Sequence, residues 1–152
     1  MSTPTQPFVI LLAEDEPADA NLVKVAISEN HILADLYIVG DGREALEFLR
    51  RQGSCFSDAP RPDLILLDLN MPRMDGREFL AAIKQDTNLR NIPVVVLTTS
   101  DVERDIVASY HLGAAGYVTK PVDINQFMAA IRQLGDYWFT LVRLPHDPRK
   151  LS

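Results

Sequence analysis

The sequence predicts one α/β domain, in which a five-stranded parallel sheet carries helices on both faces. First, the runs at residues 8–13, 64–67 and 94–97 are apolar throughout, as expected of strands that are covered on both faces. Second, segments with apolar residues at helical spacing separate these runs, which is typical of parallel sheets with right-handed crossovers. Third, 152 residues with 47% hydrophobic content suffice for one sizeable core and leave no length for a second full domain.

Local signals place the boundaries of the elements. Pro17 suits the first turn of a helix, and capping boxes begin at Asp41, Ser100 and Asp123, where the capping side chain precedes a Glu or Gln by three residues. The expected elements are, in chain order, β1 at 8–13, α1 at 17–30, β2 at 36–39, α2 from 42 to near 53, β3 at 64–68, α3 beginning at 76, β4 at 94–97, α4 between 100 and 113, β5 at 116–119 and α5 from about 124.

Composition and charge exclude several classes of function. The chain has 15 basic and 21 acidic residues, for a formal net charge of −6, and no run of Lys or Arg that could follow a phosphate backbone. We therefore expect no nucleic-acid binding. The lone Cys55 excludes an internal disulfide. Residues 1–7, expected to be a flexible N-terminus, lack the features of a secretory signal, and no apolar run reaches membrane-spanning length. A cytoplasmic protein without membrane association is expected.

Polar side chains follow four strands of the expected sheet. Glu14 and Asp15 come after β1, Asp68 ends β3, Thr98 follows β4 and Lys120 follows β5. Parallel strands share one carboxyl edge, where ligands bind in open α/β sheets. Two carboxylates ~4 Å apart repel by about 4 kcal/mol at an effective dielectric near 20. A divalent cation relieves this repulsion, and oxygen ligands suit Mg²⁺.

The same edge offers groups for phosphate. The ammonium group of Lys120 and the hydroxyl of Thr98 can hold phosphoryl oxygens, so the site suits formation of a phosphoaspartate at Asp68. Taken alone, a strand-end Asp such as Asp68 is equally suited to a turn or a helix cap. The other polar residues at this edge favour the chemical role.

These residues occur in a recognisable order. Glu14-Asp15, the run from Asp68 to Pro72, Asp75-Gly76, Thr98, Tyr117 and Lys120-Pro121 stand together in one chain. In this order and spacing the chain resembles the receiver domains of two-component response regulators over residues 8–135. The resemblance implies a flavodoxin-like sheet of order 2-1-3-4-5.

The resemblance also implies roles for the site residues. Asp68 would accept a phosphoryl group from a sensor histidine kinase, with Lys120 and Thr98 binding that group. Asp15 and Asp68 would hold Mg²⁺, together with Glu14 through water and Asn70 through its backbone carbonyl. A receiver of this kind promotes its own phosphorylation and dephosphorylation and is otherwise not an enzyme.

The resemblance further implies a switch and a bent backbone. Tyr117 would move inward when Thr98 bonds to the phosphoryl group, and the peptide bond between Lys120 and Pro121 would be cis, which proline permits at about 0.5–1 kcal/mol. Two residues depart from the common pattern. Glu14 replaces an Asp, which a contact through water tolerates. Thr99 replaces a smaller residue and leaves the phosphorylation and hydrolysis rates open.

The segment after the receiver, residues 136–152, is expected to form a C-terminal extension. Residues 136–139 and 142–145 resemble the stand-alone regulators that partner cyanobacterial phytochrome kinases. With no DNA-binding output domain in the sequence, the signal is expected to leave through the α4-β5-α5 surface. An apolar stripe predicts a homodimer through this surface and the extension, with folding back of residues 136–145 as the alternative. The stripe residues are Phe127, Ile131, Leu134, Trp138, Phe139 and Leu141.

Three rival functions come from other classes. A hydrolase of the haloacid-dehalogenase type uses similar groups but requires a second Asp where this chain has Asn70. A flavodoxin-like electron carrier requires Ser, Thr and Gly after β1 to hold the flavin phosphate, where this chain has Glu14 and Asp15. A pure interaction protein with a vestigial site is the third.

Overall fold

A computed structural model describes residues 8–29, 33–98, 113–120, 123, 125–127 and 129 of the chain. Strands and helices alternate through most of these residues, as the sequence predicts. The elements are β1 (Phe8–Ala13), α1 (Pro17–Glu29), β2 (Ala34–Val39), α2 (Gly42–Arg50), β3 (Leu64–Asp68), α3 (Gly76–Lys84), β4 (Val94–Thr98) and β5 (Gly116–Thr119). The segments predicted as α4 and most of α5 lie outside the described residues.

The five strands form one parallel sheet of order β2-β1-β3-β4-β5. This confirms the predicted doubly wound, flavodoxin-like α/β fold. The register pairs Ala13 with Leu67, Asp68 with Leu97 and Thr98 with Thr119. Because the strands are parallel and end at matching positions, the residues that follow them meet at one edge of the sheet.

Two hydrophobic cores, one on each face of the sheet, explain the unbroken apolar runs. Alternate strand residues such as Leu11 and Ile65 pack with α2 and α3 on one face. Their neighbours, such as Ile10 and Leu64, pack with α1 and Phe127 on the other. Every residue of β3 and β4 is buried. Fully burying one large aliphatic side chain contributes roughly 1.5–3 kcal/mol, so these central strands fix the position of the sheet edge.

Two predicted boundaries differ from the structure by more than one residue, and those of α1 and β4 differ by one residue. The second strand, β2, begins at Ala34, because it pairs with β1 over its whole length. It lies at the edge of the sheet, and its exposed Asp35 interrupts the apolar run from which the start of the strand was predicted. Helix α2 ends at Arg50 instead of near Gly53. Arg51 takes a left-handed conformation with φ 54° and donates its N–H to carbonyls of the last turn, which closes the helix.

The N-terminus of α2 is capped by a buried carboxylate. Asp41 Oδ1 accepts the N–H of Glu44 at 2.8 Å. The Glu44 side chain accepts from the N–H of Gly40 at 2.8 Å, one residue before the position expected for a capping box. The other oxygen of Asp41 accepts from the guanidinium of Arg73, whose Nε lies 2.8 Å away. Asp41 therefore joins α2 to the loop that follows β3.

We expect Asp41→Ala to lower the free energy of unfolding by about 1–3 kcal/mol, because it removes a helix cap and an ion pair that is buried on the Asp41 side. Burial raises the pKa of Asp41, but the bonds from Glu44 and Arg73 outweigh it and hold the pKa below its ordinary value. A carboxyl group whose pKa is lower in the folded than in the unfolded state stabilises the fold at pH values above its unfolded pKa. This stabilisation is lost as the pH falls through the folded-state pKa.

Urea denaturation at several pH values checks this prediction. Asp41→Asn keeps a good capping residue and removes only the charge. Its free energy of unfolding should therefore be lower than that of the native chain near neutral pH, and this difference should shrink as the pH falls below about 4. Equal stability of Asp41→Ala and the native chain near neutral pH would contradict this account of α2.

Among the described residues, no helix is both long and apolar enough to cross a membrane.

Candidate functional site

Three carboxylates meet at the carboxyl edge of the sheet. Glu14 and Asp15 directly follow β1, and Asp68 is the last residue of the neighbouring β3. One oxygen from each lies within 4.8 Å of the others. Glu14 and Asp68 are each only 3% exposed, whereas Asp15 is exposed. We call these three residues the acidic cluster; its open side is at Asp15.

Lys120 brings a positive charge to the acidic cluster. Its Nζ lies 2.7 Å from Glu14 Oε1 and 3.3 Å from Asp68 Oδ2. A third carboxylate, Asp19 in the first turn of α1, lies 3.0 Å away through Oδ2. The backbone N–H of Lys120 donates to the carbonyl of Thr98 at 2.8 Å. The end of β5 is thus tied to the end of β4 beside the site.

Crowding of the carboxylates shows in their protonation. Burial has the largest effect on Glu14 and raises its pKa. The contact with Lys120 lowers this pKa and the charge of Asp68 raises it, and together these effects raise the Glu14 pKa to about 7. Burial lowers the pKa of Lys120, but the carboxylates of Glu14 and Asp19 outweigh it, so the pKa is raised and Lys120 stays charged.

Glu14 Oε1 has close contact with Lys120 but poor hydrogen-bond geometry. The atom is buried and accepts no well-directed hydrogen bond, although Nζ of Lys120 is 2.7 Å away. Its partner oxygen, Oε2, accepts the N–H of Glu16 at 3.1 Å. The Glu14 carboxylate is therefore held at one oxygen by the ion pair with Lys120 and at the other by the backbone of Glu16.

The donor set of the acidic cluster fits a divalent cation with hard character. Carboxylate oxygens are the ligands that Mg²⁺ and Mn²⁺ bind in proteins, and three of them lie within reach of one ion. A dication would relieve the repulsion that raises the Glu14 pKa. Lys120 neutralises only part of the negative charge of Glu14, Asp19 and Asp68, so the site still favours a cation.

The backbone after Asp68 holds this side chain in place. The N–H of Asn70 donates to Asp68 Oδ1 at 3.2 Å. The N–H of Gly76, at the start of α3, donates to the carbonyl of Leu69 at 3.0 Å. A Cβ on Gly76 would lie 2.5 Å from the carbonyl oxygen of Asp68 and 2.7 Å from Leu69 Cα. Only glycine allows α3 to start this close to Asp68.

The loop between Asn70 and Gly76 is held from a second side. Arg73 has a φ of 63°, and the N–H of Met74 donates to the carbonyl of Pro72 at 2.7 Å, as in a γ-turn. A non-glycine residue in this region is strained. The ion pair of Arg73 with Asp41 stabilises the turn, and sequence reasoning did not identify it.

Thr98 and Tyr117 lie where the sequence placed them. Thr98 ends β4 and is 4% exposed. Tyr117, in β5, is half-buried and packs against the core on the α2 and α3 face. Asp19 was missed by the sequence analysis, because an acidic residue in a first helical turn is sufficiently explained by the helix dipole.

Several predicted residues lie outside the described ones. They are Thr99, Pro121, Ile131, Leu134, Trp138, Phe139 and Leu141. The cis peptide bond and most of the apolar stripe therefore stay predictions. Phe127 is a correction: it is 1% exposed and packs with α1 in the core of its own domain. Phe127 therefore supports the sheet and does not contribute a free surface to a partner.

Comparison with known proteins places this geometry in a family. The model of the response regulator receiver domain matches residues 10–132. The response regulator Rcp1 of Synechocystis sp. is 46% identical over 139 residues, which cover 91% of this chain and 94% of Rcp1.

Solved structures show the same similarity. The bacteriophytochrome response regulator RtBRR has a TM-score of 0.82 at 43% identity, covering 88% of this chain and 81% of that one. The phosphorylated cyanobacterial phytochrome response regulator RcpA has a TM-score of 0.72 at 42% identity, covering 89% and 96%. The Mn²⁺-bound form of Rcp1 has a TM-score of 0.69 at 47% identity, covering 89% and 95%. The chain belongs to the receiver-domain family of two-component response regulators and is closely related to the phytochrome response regulators.

Proposed function

We propose that Asp68 accepts a phosphoryl group from the phosphohistidine of a sensor kinase. One observation carries the proposal: the Asp68 carboxylate lies 3.3 Å from the Lys120 ammonium through Oδ2 and within 4.8 Å of carboxylate oxygens of Glu14 and Asp15. An oxygen of Asp68 attacks phosphorus, the bond from phosphorus to the imidazole nitrogen breaks, and its electron pair stays on the imidazole. The product is an acyl phosphate on Asp68.

The residues around Asp68 are proposed to bind Mg²⁺ and the phosphoryl group. Glu14, Asp15, Asp68 and the backbone carbonyl of Asn70 would hold Mg²⁺, which when bound neutralises charge on the phosphoryl oxygens. Lys120 donates to one phosphoryl oxygen. Thr98 is proposed to donate its hydroxyl to another. The same groups promote hydrolysis of the acyl phosphate, so the receiver limits the lifetime of its own signal.

We propose a phytochrome-type histidine kinase as the partner. The names of RtBRR and RcpA describe phytochrome response regulators, and the similarity covers most of this chain. Purified phosphorylated phytochrome kinase should therefore transfer its label to this protein at least about tenfold faster, per unit of kinase, than an unrelated sensor kinase does, a preference worth about 1.4 kcal/mol. Equal transfer from both kinases would contradict the phytochrome partner and leave Asp68 as the acceptor.

The output is proposed to follow from a switch at Tyr117. A hydrogen bond from Thr98 to the phosphoryl group would draw in the loop after β4 and free space for the half-buried Tyr117. The change is a population shift, whose size depends on how differently the phosphoryl group interacts with the two states. The α4-β5-α5 surface would then present a different face to a downstream partner. We place this receiver domain at residues 8–135 and propose that the protein acts in the cytoplasm.

We also propose a homodimer in which the extension of residues 136–152 covers the neighbouring subunit. With Phe127 assigned to the core, the proposal rests on the outer part of the stripe, which includes Trp138 and Leu141. Two-fold contacts are the commonest arrangement of soluble oligomers. Burial of a few such side chains, at roughly 1.5–3 kcal/mol each, supports moderate association.

Analytical ultracentrifugation tests the homodimer. The native chain should sediment as a dimer at micromolar concentration, and Trp138→Ala combined with Leu141→Ala should shift it toward monomer. Replacement of the exposed Leu22 by Ala is the matched control and should leave the dimer intact. A native chain that is monomeric at high micromolar concentration, with and without beryllofluoride, would show that the extension does not mediate dimerisation.

A further inference from the structure

Three carboxylates surround the ammonium group of Lys120, and their distances are unequal. Nζ is 2.7 Å from Glu14 Oε1, 3.0 Å from Asp19 Oδ2 and 3.3 Å from Asp68 Oδ2. The Lys120 side chain is only 9% exposed, so these contacts fix where its charge lies. In the resting site the ammonium group is closer to Glu14 and Asp19 than to Asp68.

Asp19 differs from the other two in its place in the fold. It lies in the first turn of α1, outside the strand ends, and its side chain is 28% exposed. It does not belong to the group of carboxylates whose oxygens lie close enough to share one cation. A cation bound by the acidic cluster would draw on Glu14 and Asp68 and would leave the pair of Asp19 with Lys120 in place.

We propose that Asp19 is a positioning residue that holds the Lys120 ammonium group toward α1 and competes for it with the phosphoryl group on Asp68. The inference rests on the proposed function, in which Lys120 donates to a phosphoryl oxygen. Phosphoryl binding then requires Lys120 to weaken its contact with Asp19. A ligand binds more weakly when only a fraction of the molecules has the competent arrangement, so Asp19 lowers the affinity of the site for phosphate and shortens the life of the acyl phosphate.

The test compares beryllofluoride binding, with saturating Mg²⁺, in the native chain and Asp19→Asn. We expect Asp19→Asn to lower the Kd of beryllofluoride by about three- to tenfold. This range assumes that the Asp19–Lys120 pair is stronger than an exposed ion pair and weaker than a buried charge-assisted hydrogen bond. The half-life of protein labelled with acetyl phosphate should lengthen in the same proportion. Asp19→Ser, which also suits a first helical turn, serves as a second variant, and urea denaturation checks that both variants fold.

Glu16→Gln is the matched control. It removes one negative charge from the residue just before α1, while the three carboxylates around Lys120 remain. Its backbone N–H still donates to Glu14 and its side chain still offers an acceptor to the N–H of Ala18. If net charge acted only at long range, Glu16→Gln would lower the Kd of beryllofluoride as much as Asp19→Asn does. If the contact with Lys120 is responsible, Glu16→Gln should change this Kd by less than about twofold.

A double-mutant cycle separates the contact from other effects. In a Lys120→Met background, Asp19→Asn should change the Kd of beryllofluoride by less than about twofold, because the competing ion pair is gone. The proposal is wrong if Asp19→Asn leaves the affinity unchanged or weakens it, if Glu16→Gln gives the same gain, or if the gain persists without Lys120. A native chain that binds no beryllofluoride would instead contradict the proposed function.

Discussion

Asp68→Asn is expected to abolish Mg²⁺-dependent labelling by acetyl phosphate, with a loss of at least about a hundredfold in the amount of acyl phosphate, or roughly 2.7 kcal/mol. The amide has almost the same size as the carboxylate but lacks its nucleophilic charge. Asp68 is a buried carboxylate at the end of β3 that contacts Lys120 and belongs to the acidic cluster. Electrophoresis that retards phosphorylated protein measures the loss.

The Asn variant should fold at least as well as the native chain, because replacing Asp68 lowers the repulsion that acts on Glu14. Urea denaturation provides this control. Asp63→Asn is a matched variant, because Asp63 caps the backbone of Val9 at the opposite end of the strands and should leave labelling unchanged. Full labelling of Asp68→Asn would place the acceptor elsewhere.

Gly76→Ala should destabilise the protein by about 2–3 kcal/mol, which is large for the addition of one methyl group. The new Cβ would meet two backbone atoms, the Asp68 carbonyl oxygen at 2.5 Å and Leu69 Cα at 2.7 Å. Backbone yields less than a flexible side chain, so α3 or the end of β3 must move. A displacement of about 1 Å at a reacting group can cost roughly a hundredfold in rate, so labelling of Asp68 should slow at least tenfold.

Gly40→Ala is the matched control for Gly76→Ala. No atom lies within 4 Å of a Cβ built on Gly40, and the Gly40 N–H that donates to Glu44 is retained. Its stability should stay within about 0.5 kcal/mol of the native value. Denaturation in urea and the rate of labelling measure both variants, and native behaviour of Gly76→Ala would contradict the close approach of α3 to Asp68.

The sheet and its polar edge could be predicted from the sequence, because each strand signal is local. The apolar runs stop at Glu14, Asp68 and Thr98, and in a parallel sheet such endpoints meet whatever the exact length of each strand. The family match over residues 10–132 also contradicts the hydrolase and the electron carrier as alternatives. An interaction protein with a vestigial site is left for the labelling experiments.

Contacts that depend on helix placement or loop shape were not predictable. Asp19 reaches Lys120 only because of where α1 packs on the face of the sheet, and no local sequence signal indicates this contact. Arg73 takes a left-handed conformation that a sequence signals mainly through glycine. Phe127 was ambiguous, because the same spacing suits a helix buried under its own sheet and a helix facing a partner.

The central claim is that Asp68 forms the acyl phosphate, and peptide mass spectrometry of the native chain tests it most directly. After incubation with acetyl phosphate and Mg²⁺, one phosphoryl group should be found on the peptide that contains Asp68, and hydroxylamine should remove it, as expected of an acyl phosphate. The same sample with a metal chelator should stay unmodified. A phosphoryl group on another residue, or labelling that is equal with and without the chelator, would contradict the account.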